Sequence, residues 1–209
     1  ILLSGVNNTI ISSTEISARG YIQGGSIKVG NDLANQFIPF SSYTEIDSNS
    51  VLNASQLNSN IQNNQGGFIE TSASTVNLLG SINAGRGGMW LLDPFNITID
   101  STKAGYIKTV LDAGSSVTIT TASASNTVGL NSISGSSGVG YITIDAAITS
   151  SGAGASLTLI AANDIYVNQE ITLSGAGSSV TFTAANTNLT SNITTYGNQT
   201  FNSNNRLYS

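Results

Sequence analysis

Only a few residues of this chain could carry acid–base chemistry, and they are spread thinly. Eleven Asp+Glu stand against six Lys+Arg, with no His and no Cys. The carboxylates to weigh are Glu70, Asp93, Asp100, Asp112, Asp145, Asp164 and Glu170. Two carboxyl groups with divergent pKa values in one cleft, helped by Lys or Arg, are the machinery that cleaves acidic polysaccharides. The spacings here do not pair the acids. The residue 21 after Glu70 is Leu91, and the residue 23 after Asp145 is Asn168. The absence of His removes the commonest general base and zinc ligand. The absence of Cys removes a thiolate nucleophile and a disulfide framework. Glycine-rich stretches such as "SSGAGAS" and "LSGAGSS" lack the Asp that calcium-binding repeats carry at their corners. No catalytic residue, cofactor or metal ligand is therefore assigned, and the acids read as solvated corner and face residues.

The composition points the same way. Charged residues are 8% of the chain, against roughly 25% in ordinary globular proteins. A net charge of −5 with no basic stripe makes nucleic acid a poor partner. Solubility must come from Ser, Thr, Asn and Gln, a surface typical of strand-rich extracellular proteins. No run of 18 apolar residues suggests a membrane-spanning helix. The start at Ile1, without an initiator Met or a leader pattern, reads as an internal or processed fragment.

Elements able to position these residues are legible as repeats. Leu157 and Leu159 recur as Val180 and Phe182, 23 residues on, and Ala161-Ala162-Asn163 recurs as Ala184-Ala185-Asn186. Ile142, Ile144 and Ile148 recur at the same spacing as Ile165, Val167 and Ile171. Each unit holds three short alternating runs separated by Ala-Ala-Asn, Asn-Gln and Gly-Ala-Gly. Period-2 alternation is the mark of a strand, and small residues suit tight corners. Three strands and three corners per unit predict an all-β, right-handed parallel β-helix with coils of about 21–23 residues. No helix is expected; "NDLANQF" (31–37) offers at most one turn.

The first half repeats with a period of 21: Gly67 aligns with Gly88, Phe68 with Met89, Val76 with Ile97 and Leu78 with Ile99. On this alignment "MWLLD" is a strand, Asp93-Pro94 its corner and "NITI" the next strand. The register then fails, because Ile82 would align with Lys103. The expected organisation is a β-helical section over 1–100, an irregular insertion or change of coil shape over 101–116, and a second β-helical section over 117–209. Together they form one continuous solenoid, although 121–140 phases poorly. Thr118, Thr120, Thr158, Thr181 and Thr183 fall at outward positions, a pattern found on ice-binding solenoids but equally expected of a good β-former. Asn-x-Ser/Thr triplets occur at Asn7, Asn53, Asn96, Asn188, Asn192 and Asn198, and corner ladders are their plainer role. Arg86, in "AGRGG", reads as an exposed corner charge.

The strings "GGSIKVG" (24–30), "GGFIETSA" (66–73) and "WLLDPFNITI" (90–99), followed by repeats such as "LTLIAANDIYVNQEITLSG", occur in an order that resembles the filamentous-haemagglutinin-type exoproteins of two-partner secretion. "ISARG" (16–20) and "TYGNQTF" (195–201) resemble further segments of that family. The resemblance spans roughly residues 16–202, and its most specific string is LLDP-x-N-I-T-I. It implies a secreted, cell-surface location on a Gram-negative bacterium, with export through an outer-membrane transporter. It also implies a shaft or binding role in an adhesin or filament. The family's N-terminal secretion domain has no counterpart here.

The expected function is thus a non-enzymatic surface protein whose partner is a glycan or protein receptor. A polysaccharide-active β-helix enzyme and an end-to-end self-assembling filament subunit are the alternatives. The one candidate partner patch is Met89, Trp90, Leu91 and Leu92, where the chain's single Met and single Trp meet and both strand faces are apolar. One face must line the core, so segment 101–116 is expected to cover the other through Tyr106, Ile107 or Leu111.

Overall fold

The computed structural model describes residues 1–31, 38–58, 65–121 and 140–207. The expectations for "NDLANQF" and for the phasing of 121–140 fall almost wholly outside these residues. The described chain is mostly β-strand, every ladder is parallel, and one helix interrupts the strands.

The longest sheet gathers β1 (Leu2–Leu3), β4 (Ser26–Val29), β7 (Phe68–Ala73), β10 (Met89–Pro94), β12 (Ser116–Thr120), β15 (Ser156–Ile160) and β18 (Ser179–Leu189) in that order, with β20 (Gln199–Leu207) on β18. The long β18 then joins a second row: β16 (Ile165–Val167), β13 (Ile142–Ile144) and β11 (Ile97–Ile99). Three smaller sheets complete the set. They are β2 (Asn8–Ile11), β5 (Tyr43–Ile46) and β8 (Thr75–Leu78); β3 (Glu15–Ser17), β6 (Val51–Asn53) and β9 (Ser81–Asn83); and β14 (Ile148–Ser150), β17 (Ile171–Leu173) and β19 (Ile193–Thr195).

The sequence repeats are the registers of these ladders. Leu157 pairs with Val180 and Leu159 with Phe182. Ile142 pairs with Ile165, Ile148 with Ile171, and Phe68 with Met89. Because side chains alternate across a strand, equal register stacks like on like. One core column runs Ile27, Ile69, Trp90, Val117, Leu157, Val180, and its neighbour runs Val29, Thr71, Leu92, Ile119, Leu159, Phe182; all are buried. Burying each aliphatic side chain contributes about 1.5–3 kcal/mol. Phe182 also stacks on Phe201, with ring centroids 4.9 Å apart and planes 7° from parallel.

Three expectations need correction. First, where no helix is expected, Ser101–Asp112 form helix α1, inside the segment read as an irregular insertion or change of coil shape. Asp100 caps its start, accepting from Lys103 N at 2.9 Å. Gly114, at φ +76°, ends it by donating to Leu111 O at 2.9 Å. Ala104, Ile107 and Leu111 recur at helical spacing, and with Val110 they are buried in the common core. The helix packs between β9 and β14, each the end strand of a three-stranded parallel sheet. β12 nonetheless pairs with β10, so the long sheet runs straight past it.

Second, Asp93-Pro94 is not a corner. Both residues extend β10, pairing with Ser72 and Ala73, and the bend falls at Phe95–Asn96. Third, the 21-residue alignment fails beyond that bend. β8 ends its own sheet, while β11 pairs with β13, Ile97 opposite Ile142. The divergence begins where Phe95 stacks on the buried Phe40 at 5.5 Å.

Candidate interaction surface

Strand alternation sorts the four residues of the Met89–Leu92 cluster into two pairs. Trp90 and Leu92 point inward, 0% and 2% exposed. The Trp90 indole donates to Thr71 Oγ1 at 3.1 Å, which satisfies its one polar group inside the core. Met89 and Leu91 point outward; Met89 is 41% exposed and Leu91 half-buried. The partner patch therefore contracts to these two residues.

Helix α1 does not cover them. Ile107 and Leu111 face the common core, and Tyr106 reaches Leu79 O with its hydroxyl. The contacts of α1 run to β9, β11, β12 and β14. A helix that replaces a strand must turn its apolar stripe to the shared core, which leaves none of it for the outer face of β10.

The neighbours of Met89 and Leu91 follow from register. Phe68 and Ser116 flank Met89, and Glu70 and Thr118 flank Leu91. Phe68, whose alignment with Met89 in the 21-residue repeat is the signal for it, extends this outward apolar pair. Lys28 lies over the Phe68 ring at 5.6 Å and approaches Glu70 Oε2 at 4.0 Å. Beside Phe68 and Met89, Gly25, Gly67 and Gly88 shape an open groove of about 490 Å³. Close packing demands these glycines: a Cβ on Gly67 would stand 2.3 Å from Ala54 O, and one on Gly88 2.4 Å from Ala84 O.

Further along the same face the apolar groups give way to hydroxyls. Thr118, Thr158, Thr181 and Thr200 occupy one row, and Ser116, Ser156 and Ser179 the next. Ser156 Oγ and Ser116 Oγ are 3.0 Å apart. Thr120 departs from the outward expectation. It is buried, and its row continues through Ile160.

The carboxylates divide into buried and capping groups. Asp93 pairs with Ser72, two residues past Glu70, so Glu70 and Asp93 are diagonal neighbours on one face rather than separated acids. Glu70 is 1% exposed and Asp93 0%, and Ser72 Oγ donates to Glu70 Oε1 at 3.0 Å. The others stand apart from this pair; Glu170 is exposed, and the rest tie corners or the helix ends. Asp145 accepts from Asn168 Nδ2 and Asp164 from Asn186 Nδ2, both at 2.7 Å. At Asp100 and at Asp112, burial pushes the carboxyl up. The side-chain ammonium and backbone N–H of Lys103 outweigh it at Asp100. Lys108, Ser150 and the Ser151 N–H do so at Asp112, and both groups end below the ordinary value. Asp47, which sequence reasoning passed over, is held down to about 2 by the Ser12 and Ser50 hydroxyls and the Ser13 N–H.

Among the described residues no three acids gather in a way that could hold a metal ion. Arg86 is exposed at its corner, as expected. Among the Asn-x-Ser/Thr sites, Asn96 Oδ1 accepts from the backbone N–H groups of Gly140 and Tyr141, Asn53 Oδ1 accepts from Ser55, and Asn188 is buried. Asn7, Asn192 and Asn198 are exposed. No helix among the described residues is long and apolar enough to cross a membrane. No family model, curated protein or solved structure matches the chain.

Proposed function

We propose that the chain is a section of a right-handed parallel β-helix, with coils of about 21–23 residues, from a secreted bacterial surface protein. Its role is non-enzymatic: shaft or binding segment of an adhesin or extracellular filament, exported through an outer-membrane transporter. The observation that carries this reading is the parallel stack itself. Eight strands, β1 through β20, follow one another in one row of ladders. At about 4.8 Å per step the row is roughly 34 Å long. Each round of chain touches chiefly its neighbours, so such a stack can be lengthened without a new core. The outward rows of Ser, Thr and Asn supply a neutral, hydrated surface, and the resemblance to two-partner-secretion exoproteins supports the location. The purified chain, screened against glycans and host matrix proteins, is expected to bind at least one saturably without altering it. Saturable hydrolase or lyase turnover of a glycan would sink the proposal. Concentration-dependent fibres in electron micrographs would instead favour the self-assembling subunit, through the strand edges at β1 and β20.

One observation favours the polysaccharide-active enzyme as a second reading: Glu70 and Asp93 share a face, with Lys28 4.0 Å from Glu70. Their burial argues for an internal polar cluster, because a polymer cannot reach a carboxyl that solvent does not. Glu70→Gln and Asp93→Asn decide it. Both variants would abolish turnover if the reading held, and both are expected to leave the binding profile unchanged.

A further inference from the structure

Helix α1 breaks an otherwise regular lateral face. It stands where a strand would lie between β9 and β14, and a helix with its side chains is about 10–12 Å across, so it rises above the strands beside it. The step leaves a groove of about 210 Å³, with Lys108 on the helix side and Thr149, Ser150, Ser151, Thr172 and Ser174 on the strand side.

The chemistry of this groove is unusual for its uniformity. Its lining is one ammonium group and five hydroxyl side chains, with no apolar side chain. Some of these groups are occupied. Lys108 Nζ pairs with Asp112 Oδ2, Ser150 Oγ donates to Asp112 Oδ1 at 2.7 Å, and Ser174 Oγ donates to Ser150 O at 3.2 Å. Others are not: among the described residues the hydroxyls of Thr149, Ser151 and Thr172 have no protein partner. An ammonium has three N–H donors, so Lys108 keeps two beyond the one given to Asp112. Thr149 and Thr172 are register partners on adjacent strands, and Thr194 extends their row. The free hydroxyls thus repeat at about 4.8 Å, a distance one sugar ring spans.

The structure assigns this groove as a saccharide-binding site. Free hydroxyls acting as both donors and acceptors suit a polyhydroxylated ligand. The lining holds no aliphatic or aromatic residue, which disfavours a hydrocarbon ligand. Asp112 offsets the charge of Lys108, and the chain carries −5 overall, so a polyanion is also disfavoured. The ligand is a neutral or singly acidic sugar. This assignment rests on the surface-protein reading above and names a ligand class for it.

The test is a glycan array with the purified chain, followed by calorimetry on the best-retained saccharide. Thr172→Trp fills the groove from an outward strand position, Lys108→Ala removes the ammonium, and Thr172→Ser keeps the hydroxyl. The expected result is at least a tenfold loss of affinity in the first two, wild-type affinity in the third, and unchanged thermal melts in all. Saccharide binding that survives Thr172→Trp overturns the assignment. So does retention of inorganic sulfate or phosphate without any saccharide, or an array on which nothing rises above the Thr172→Trp background. Binding of a matrix protein by wild type and Thr172→Trp alike leaves the surface-protein reading standing while removing the groove from it. Turnover of the sugar would overturn that reading instead.

Discussion

The indole of Trp90 donates across one strand step to Thr71 Oγ1, 3.1 Å away, with both residues completely buried. Trp90 itself stacks between Ile69 and Val117, so its ring replaces an aliphatic side chain in the core column and its one polar atom finds a hydroxyl on the strand before it. Thr71 is thus a polar residue at a core position because it accepts the indole N–H.

Thr71→Val is expected to destabilise the fold by about 1–3 kcal/mol, because it leaves a buried N–H without a partner while nearly conserving volume. Thr71→Ser should recover most of that loss. Trp90→Ala should cost about 3–5 kcal/mol through the cavity it opens. Chemical denaturation of the three variants checks the order, and a Thr71→Val variant as stable as wild type would remove the hydrogen bond from the account.

Helix α1 depends on its two ends. Asp100→Ala is expected to cost about 1 kcal/mol, and Asp100→Asn much less, since Asn caps comparably. Gly114→Ala places a side chain at φ +76° and should cost about 1 kcal/mol. Because the helix buries Ile107 and Leu111 in the shared core, these losses should appear in the global unfolding transition, not as local fraying. A biphasic transition in far-ultraviolet circular dichroism would contradict this.

Legibility in the sequence tracks how local the signal is. The registers from Leu157 to Val180 and from Ile142 to Ile165 were readable because three strands and three corners repeat with the same residue types. The helix was not read, although its cap at Asp100, its stop at Gly114 and the spacing of Ala104, Ile107 and Leu111 are all present. Inside a strand repeat, a broken register looks like irregularity before it looks like another element. The nearness of Glu70 and Asp93 is hidden for a geometric reason: pairing aligns positions one sequence repeat apart, whereas diagonal neighbours sit two residues off that alignment. The saccharide groove could not be read at all. Lys108 and Thr172 are brought together only by the helix standing in a strand's place.

Asp47 ties a corner together, accepting from Ser12 Oγ at 2.6 Å, Ser50 Oγ at 2.6 Å and Ser13 N at 2.9 Å. Its carboxyl is depressed to about 2 from an ordinary value of 3.8. A depressed carboxylate pKa means the folded state prefers the ionised form, so its stabilisation is fully present above the unfolded value and is lost as pH falls toward 2. Asp47→Asn should therefore flatten the decline of melting temperature between about pH 4 and pH 2 relative to wild type. Parallel declines in the two proteins would show that Asp47 contributes nothing to acid unfolding.

Met89 and Leu91 present the one outward apolar pair of the rare-residue cluster, with Phe68 beside Met89 and helix α1 packed elsewhere. Surface positions such as Met89 change stability by less than about 0.5 kcal/mol when substituted, and the half-buried Leu91 adds a transfer loss of about 1 kcal/mol. The double variant Met89→Ser, Leu91→Ser should accordingly melt within a few degrees of wild type. If the pair serves contact with a partner, the same variant should lower retention on the matrix protein or cell surface that wild type binds, and it should leave saccharide binding at the Lys108 groove untouched. The two faces are then separable: a matrix-binding loss confined to Met89 and Leu91, and a sugar-binding loss confined to Lys108 and Thr172. A destabilisation above about 2 kcal/mol in the double variant would instead mark the pair as covered structure, since only buried apolar groups contribute that much.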